Sequence, residues 1–420
     1  MSITSSFYSG LSGLDNHATA MQVIGDNLSN VQTTGFKSNA AHFEDILGVS
    51  LTGVTGGNQT GAGTDVSSVD ANFIQGSLAT TGVGTDVAIN GKGLFATKDA
   101  NSDELFYTRA GHFIFDNQGY YVNTQGYRVQ GYLYDATGTN LIENLSDIQI
   151  NQNSMIPPKI TSLINMVVNL DTAEKTKTWN INNPSGTSNF STALTVYDPL
   201  GQSHQVQVYF TKTASQTWDW HAVIDGGDTQ GGTPGTYVNY GSGTLNFNAS
   251  GKLTTTMPVN FYTGAITFAN GATPSATQVD LTNTTQYGSA SVIQKLTQDG
   301  YTAGSISGVT IDEEGNLIAT YTNGARKQVA RLALTDFPNL NGLRRKGGTL
   351  YQATTTSGDP LYNKPGIGGM GTISSSMLEE SNVDMAAEFI KMIVIQRGYQ
   401  ANTKVITTTD DMLNQLINMR

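Results

Sequence analysis

The sequence predicts a mainly β chain with paired long terminal α-helices, in which discontinuous, nested β domains sit between the two parts of an N- and C-terminal helical coiled-coil domain. Three observations carry that expectation. Helix breakers are confined to the middle: of 47 glycines only four fall in residues 1–47 and one in residues 372–420, and all ten prolines lie from Pro157 to Pro365. Both ends carry apolar residues at the helical period. Between them, short alternating segments are punctuated by turn residues. Gly, Thr and Asn, at 47, 55 and 35, make up about a third of the 420 residues, a composition of strands and positive-φ corners.

Taken in order, the first element is a helix with Ile3, Phe7, Leu11, Leu14, Ala18, Met21 and Leu28 on one face. Gly10, Gly13 and Gly25 weaken it by up to about 1 kcal/mol each, so it needs a partner. Residues 1–30 and 380–420 form the helical domain, and residues 31–72, Gly/Thr/Ser-rich from 48 to 70, read as an extended connector. A β block follows over 73–160, with strands such as Phe106-Tyr-Thr-Arg-Ala and His112-Phe-Ile-Phe and a turn at Asp116-Asn-Gln-Gly119. Pro157-Pro158 marks a sub-boundary. Beyond it, Met166-Val-Val-Asn-Leu170, Gln205-Val-Gln-Val-Tyr-Phe210 and Trp218-Asp-Trp-His-Ala-Val223 belong to an inserted outer β domain over 161–295, a sandwich or barrel by its strand spacing. The first block resumes over 296–355, where Asp312-Glu-Glu-Gly-Asn316 has too few alternating carboxylates for a calcium loop and reads as a turn. Residues 356–379 are a second connector.

The last element has the longest stripe: Val383, Ala387, Ile390, Val394, Arg397, Ala401, Val405, Thr408, Met412, Leu416 and Met419. Ser381 with Asp384 reads as a capping-box-like start. From Asn382 to Asn418 the helix spans on the order of 55 Å, far beyond the usual ~11–12 residues. Neither terminal helix has a helical neighbour in sequence. The economical solution pairs first with last, the stripes continuing into other copies.

Several functions fall away. Net charge is −11, from 22 Lys+Arg against 33 Asp+Glu, and only 13% of residues are charged, so few phosphates can be neutralised and nucleic-acid binding is not expected. There is no cysteine, hence no thiolate metal site, disulfide or thiol nucleophile. No apolar run approaches the ~18 residues of a membrane span. The first basic residue is Lys37, so no secretory n-region is present, and these signals alone suggest the cytosol. Five scattered His residues show no metal spacing, and no nucleophile motif occurs. Gly366-Ile-Gly368-Gly-Met-Gly371 matches a dinucleotide pattern literally but lies in a connector, not after a strand. Arg344-Arg-Lys346 reads as a solvated turn. No catalytic, cofactor or metal residues are expected.

Both ends and the first β block resemble the bacterial flagellar axial proteins of rod and hook. Asp26-Asn-Leu-Ser-Asn30 running into Thr33-Thr-Gly-Phe-Lys37 is similar to the family's N-terminal signature. Leu378-Glu-Glu-Ser-Asn-Val-Asp384, Glu388-Phe-Ile-Lys-Met-Ile393, Gln396-Arg-Gly-Tyr-Gln-Ala-Asn402 and Asp410-Asp-Met-Leu413 are similar to its C-terminal one. Phe73-Ile-Gln-Gly76, Asp86-Val-Ala-Ile-Asn-Gly91 and Thr108-Arg-Ala-Gly-His-Phe113 resemble the shared β block. Asn169-Leu-Asp171 and Leu194-Thr-Val-Tyr-Asp-Pro-Leu-Gly201 resemble the insert of the hook members. Gly398 departs from the family's usual Ala and, mid-helix, would soften the helix.

The resemblance implies a structural subunit of the flagellar hook, polymerising into a short curved tube that links rod to filament and transmits torque as a universal joint. A distal-rod or other minor axial protein is the alternative. It implies motif residues at Asn27, Asn30, Thr34, Gly35, Phe36, Asn382, Gln396, Arg397 and Asn402. Assembly would use Ile3, Phe7, Leu11, Leu14, Met21, Leu28, Val383, Ala387, Ile390, Val394, Ala401, Val405, Met412 and Leu416. The implied partners are other copies in a homopolymer, the distal rod, hook cap, hook–filament junction, hook-length control and flagellar type III export proteins, with no nucleic acid or membrane. Export without a cleaved signal would place the chain in the extracellular hook, reversing the cytosolic expectation.

Overall fold

The computed structural model describes residues 3–50, 59–151, 155–262, 266–273 and 276–418, excluding the side chains of 3–5, 47–50, 59–60 and 416. The predicted stripe positions Ile3 and Leu416 therefore lie outside the described side chains, and Met419 lies outside the described residues. The chain forms two compact units. One comprises Met1–Asn151, Gly308–Ala319 and Arg326–Arg420, the other Gln152–Ser307 and Thr320–Ala325.

In the first unit, strands from the two halves of the sequence interlock. Leu78–Thr80 pairs with Met377–Glu379, Val87–Asn90 with Thr372–Ser375, and Leu94–Lys98 with Leu334–Asp336. Leu105–Thr108 pairs with Leu350–Gln352, and Arg128–Tyr134 with Arg326–Leu332. Val87, Ile89, Phe95, Phe113, Tyr121, Leu334 and Ile373 are fully buried beneath these pairings, each contributing on the order of 1.5–3 kcal/mol. Phe95, Phe113 and Tyr121 stack edge to face at centroid distances of 5.3 and 5.2 Å. This long-range pairing carries the chain's end back beside its beginning, which is what lets the terminal helices meet.

Both segments read as connectors turn out to be paired structure. Within 31–72, Asn39–Ser50 and Gln59–Ala71 form an antiparallel hairpin with register slips at His42/Phe43 and Asp45/Leu47. Within 356–379, Leu361–Asn363, Thr372–Ser375 and Met377–Glu379 are all hydrogen-bonded strands. Thr, Ser and Gly in these segments break the apolar alternation by which strands are read, and backbone pairing holds them regardless. Arg344-Arg-Lys346 is likewise an edge strand, Arg344–Gly347, rather than a turn.

One turn recurs through both units. At Asp116, Asn123, Asp198, Asn248 and Asp312 the side-chain oxygen accepts backbone N–H groups two and four residues on, at 2.8–3.0 Å. A glycine at the fourth position takes positive φ each time, from 74° at Gly251 to 88° at Gly126. Both acidic segments expected to be turns belong to this set.

The second unit contains two four-stranded sheets around one core. Phe190–Tyr197, Ser203–Ala214, Thr217–Asp225 and Tyr237–Asn246 form an antiparallel meander. Leu163–Asn169 pairs in parallel with Gln278–Asp280 and antiparallel with Val292–Gln298. Ile164, Met166 and Val168 from one sheet share a core with Val206, Val208, Phe210, Trp218 and Trp220 from the other, the period-2 pattern of a sheet with one face packed on the core.

Candidate assembly surface and its junction with the β body

The terminal helices, Ile3–Ser29 and Met385–Asn418, run antiparallel and in contact. The C-terminal helix is capped by Asp384, whose carboxylate accepts the Ala386 and Ala387 N–H groups at 2.8 and 3.1 Å. The cap is therefore Asp384 and not Ser381, since a side-chain oxygen caps donors two and three residues on.

The face that joins the helices takes in only the margin of the apolar stripe. Gly10 lies against Ile406 and Val405, Gly13 against Asn402, and Gly398 against His17. A Cβ at Gly13 would sit 2.5 Å from Asn402 Nδ2, and one at Gly398 would sit 2.7 Å from His17 Nε2. Asn16, Ala20, Ile24 and Asn27 are buried on the N-terminal helix, Glu388 and Thr409 on the C-terminal one. Glycines thus create the notches that larger side chains fill, and close approach adds to apolar burial in the pairing. The hairpin flanks the same helix: Asn16 donates to Thr64 Oγ1 at 2.8 Å, and Phe43 meets His17 edge to face.

Gly398 therefore seats His17 as well as loosening its own helix. In a double-mutant cycle, Gly398→Ala is expected to stabilise the His17→Ala background by up to about 1 kcal/mol, the helix-propensity gain. In the wild-type background it should be neutral or destabilising, a coupling of about 1 kcal/mol or more between the two positions. Urea unfolding followed by helical circular dichroism measures this.

The predicted stripe stays outside. Ile390, Val394 and Met412 are 64%, 63% and 61% exposed, and Leu11, Ala401 and Val405 are exposed too. Phe7, Leu14, Met21, Leu28, Val383 and Ala387 are half-buried. Met385, Phe389 and Ile393 widen this apolar surface. The helices pair as expected, but the stripe joins them only at its margin, where Val405 meets Gly10, and its exposed members are left open in the single chain.

Where the helices leave the β body, charged and amide side chains converge. Lys37 Nζ lies 2.5 Å from Glu379 Oε1, and both side chains are fully buried. Arg109 approaches Glu379 Oε2 at 3.3 Å and donates to the carbonyls of Ile89 and Gly91. Glu379 Oε1 also accepts Gly76 N–H, and the Glu379 carbonyl accepts Gly35 N–H at 2.7 Å. Burial pushes the Lys37 ammonium and the Arg109 guanidinium below their ordinary pKa values, while Glu379 pulls both the other way.

Beside this trio, Asn382 accepts Ser38 N–H and donates to the carbonyls of Asn72 and Ile74, at 2.7–2.9 Å. Asn27 exchanges two hydrogen bonds with the backbone of Asn39 and donates to Glu388, which in turn holds Lys391 at 2.7 Å. One chain of polar contacts therefore ties both helices, the hairpin and two strands together. Buried amides and charges impose directional partners, so the network specifies one exit angle for the helix pair.

Of the motif residues, Asn27, Gly35, Phe36 and Asn382 meet at this junction. Gly35 has φ 68°, and a Cβ there would lie 2.4 Å from Ala110 N. Asn30 and Thr34 are half-buried near it, Asn30 donating to the Asp26 carbonyl. Asn402 lies farther along the helix pair, and Gln396 and Arg397 are exposed on the helix surface. Lys37, Arg109, Glu379 and Glu388 were not singled out, although each stands inside a quoted motif. In a chain with 13% charged residues, the charges inside these motifs are the available signal. The Gly366–Gly371 loop does follow a strand, Leu361–Asn363, but it leads into another strand and not a helix, and it closes on itself, Gly366 N–H donating to the Gly371 carbonyl at 2.9 Å. Among the described residues no group of side chains could hold a metal ion.

Comparison with known proteins identifies this arrangement. The chain is 33% identical to the flagellar hook protein FlgE of Escherichia coli over 419 residues, covering 99% of this chain and all of that protein. The chain belongs to the flagellar hook protein family. It is 34% identical to the Salmonella typhimurium flagellar hook protein FlgE over 99% of this chain and all of that one. Against that of Treponema pallidum it is 33% identical, with 99% of each chain covered. Four family models match in order: flagella basal body rod protein over 7–37, flagellar hook protein FlgE/F/G D1 domain over 88–162, flagellar basal body protein FlaE D2 domain over 168–301, and flagellar basal body rod FlgEFG protein C-terminal over 374–419. The solved Helicobacter pylori flagellar hook protein FlgE2 shares the fold at TM-score 0.50 and 18% identity, over 72% of this chain and all of that one. The family is structural, and its members are not enzymes.

Proposed function

We propose that this hook-family chain is the structural subunit of a flagellar hook, polymerising through its terminal helices into a tube outside the cell that links rod to filament. The observation that carries the reading is the open apolar face of the C-terminal helix, from Met385 through Ile390 and Val394 to Met412. Side chains of this size gain on the order of 1.5–3 kcal/mol each on full burial, and a contiguous exposed stripe marks a protein contact. The helix pair of each copy extends into a coiled-coil layer around the tube's axis. The outer units, rich in Thr and Asn, meet through weak polar contacts that slide as the tube bends, making it a universal joint. Domain limits at 1–30 with 380–420, 73–160 with 296–355, and 161–295 belong to this reading. So do the rod, cap, junction, length-control and type III export proteins as partners.

Ile390→Asp is the test. The substituted residue is exposed in the single chain, so far-UV circular dichroism and thermal unfolding of dilute protein should match the wild type. Electron microscopy of concentrated protein should show curved tubes for the wild type and none for the variant. Tubes of normal length from Ile390→Asp would overturn the proposal.

A further inference from the structure

We propose that a groove on the outer side of the N-terminal helix seats the C-terminal helix of a second copy, with Asp15 pairing with Arg397 of that copy to set the register. The inference rests on the polymer reading above and specifies its contact. The groove, of about 710 Å³, is lined by Tyr8, Leu11, Leu14, Ala18 and Tyr399, with Asp15 among them. Asp15 lies four residues after Leu11 and three before Ala18, and so shares their face. Among the described residues its carboxylate has no partner, whereas Asp26, the other acid of this helix, is engaged by Arg345 and Asn30.

The C-terminal stripe has the complementary form. Arg397 interrupts it, three residues after Val394 and four before Ala401. Among the described residues it too has no partner and is exposed. Lys391 is held by Glu388; Lys404, one heptad on, shares the face of Arg397 but is a point charge without the planar fork that matches a carboxylate. An unpaired anion in an apolar groove thus faces a guanidinium set in an apolar stripe. Apolar stripes of period 3.6 can slip by a turn at little cost, and a single buried polar pair is the device that forbids slippage. A misregistered copy would bury Arg397 without a counter-charge, which is costly.

The test is a charge swap in the full chain, with the concentration for tube formation read by sedimentation and electron microscopy. Arg397→Glu and Asp15→Arg should each raise that concentration about tenfold or more, as losses of close interfacial charge pairs do. The double variant should return to within about twofold of wild type. Both positions are exposed and unpaired in the single chain, so thermal unfolding of dilute protein should not move. Lys404→Glu, the same charge change one heptad away, should assemble nearly as wild type. Single variants that assemble normally, a double variant no better than the singles, or Lys404→Glu as harmful as Arg397→Glu would each overturn the pairing. A wild-type chain that forms no tubes would overturn the polymer reading, and this one with it. Tubes from the wild type with an inert swap would overturn the pairing alone.

Discussion

Glu379→Ala is expected to destabilise the first unit by about 3–5 kcal/mol, the usual consequence of removing one partner from a buried ion pair. The magnitude follows from what the carboxylate holds. Lys37, Arg109 and the Gly76 N–H all converge on it, and neither it nor Lys37 reaches solvent. Without it two buried cations lose the carboxylate they share, and Arg109 is left with only the weaker attraction of Asp336. Lys37→Met should cost less, because Glu379 would keep Arg109 and Gly76 as partners. The reverse order would show that Lys37 is the better-anchored member. All three tryptophans, Trp179, Trp218 and Trp220, lie in the second unit, whereas both long helices lie in the first. Urea unfolding therefore separates the effects. The helical transition at 222 nm should move down by about 1 M or more, while the tryptophan fluorescence transition stays in place. A shared shift of both signals would mean that the junction stabilises the whole chain.

The junction and the helix-pairing face show where sequence reading stops. Periodicity finds the most apolar face of a helix, and here that face is the one left open. Within the chain Gly10 meets Ile406 and Val405, Gly13 meets Asn402 and Gly398 meets His17, and the glycines and amides of that face carry no hydrophobic signal. Helix positions were legible because breakers are absent at the ends; the contact between the helices was not, because glycine reads only as a weak helix former. The hairpin of 39–71 was missed for a related reason. Its second strand, Gln59–Ala71, is a run of Thr, Ser, Gly and Asp with two Val, so its partner's backbone, and not an apolar face, decides its conformation. By contrast the strands of the second unit alternate strongly because each buries one face, and they were legible from Trp218 and Trp220 onward. Lys37, Arg109 and Glu379 stand in recognisable motifs, yet 342 positions separate Lys37 from Glu379, and nothing local announces their pairing.

Gly111→Ala should be comparably severe, for a reason that lies wholly in backbone geometry. A Cβ at 111 would fall 1.6 Å from the Val87 carbonyl oxygen and 3.2 Å from the Phe95 ring. The obstacle is main chain, so no rotamer change relieves it. Restoring contact distance requires the strand Val87–Asn90 to move by more than an ångström. That movement strips the Val87 N–H···O=C Gly111 bond of 3.0 Å and disturbs pairing with Thr372–Ser375, the strand that leads into Met377–Glu379 and the C-terminal helix. A lost buried hydrogen bond of about 1–3 kcal/mol adds to overpacking of about 1–3 kcal/mol, giving a loss of several kcal/mol. Gly25→Ala provides the contrast: it is helical, nothing lies within 4 Å of its added Cβ, and it should stabilise by up to about 1 kcal/mol. The same chemical change thus carries opposite signs at two glycines of one unit, and helical circular dichroism in urea reads both. A Gly111→Ala protein as stable as wild type would mean that Val87 can leave its place without loosening the strand that brings the two ends of the chain together.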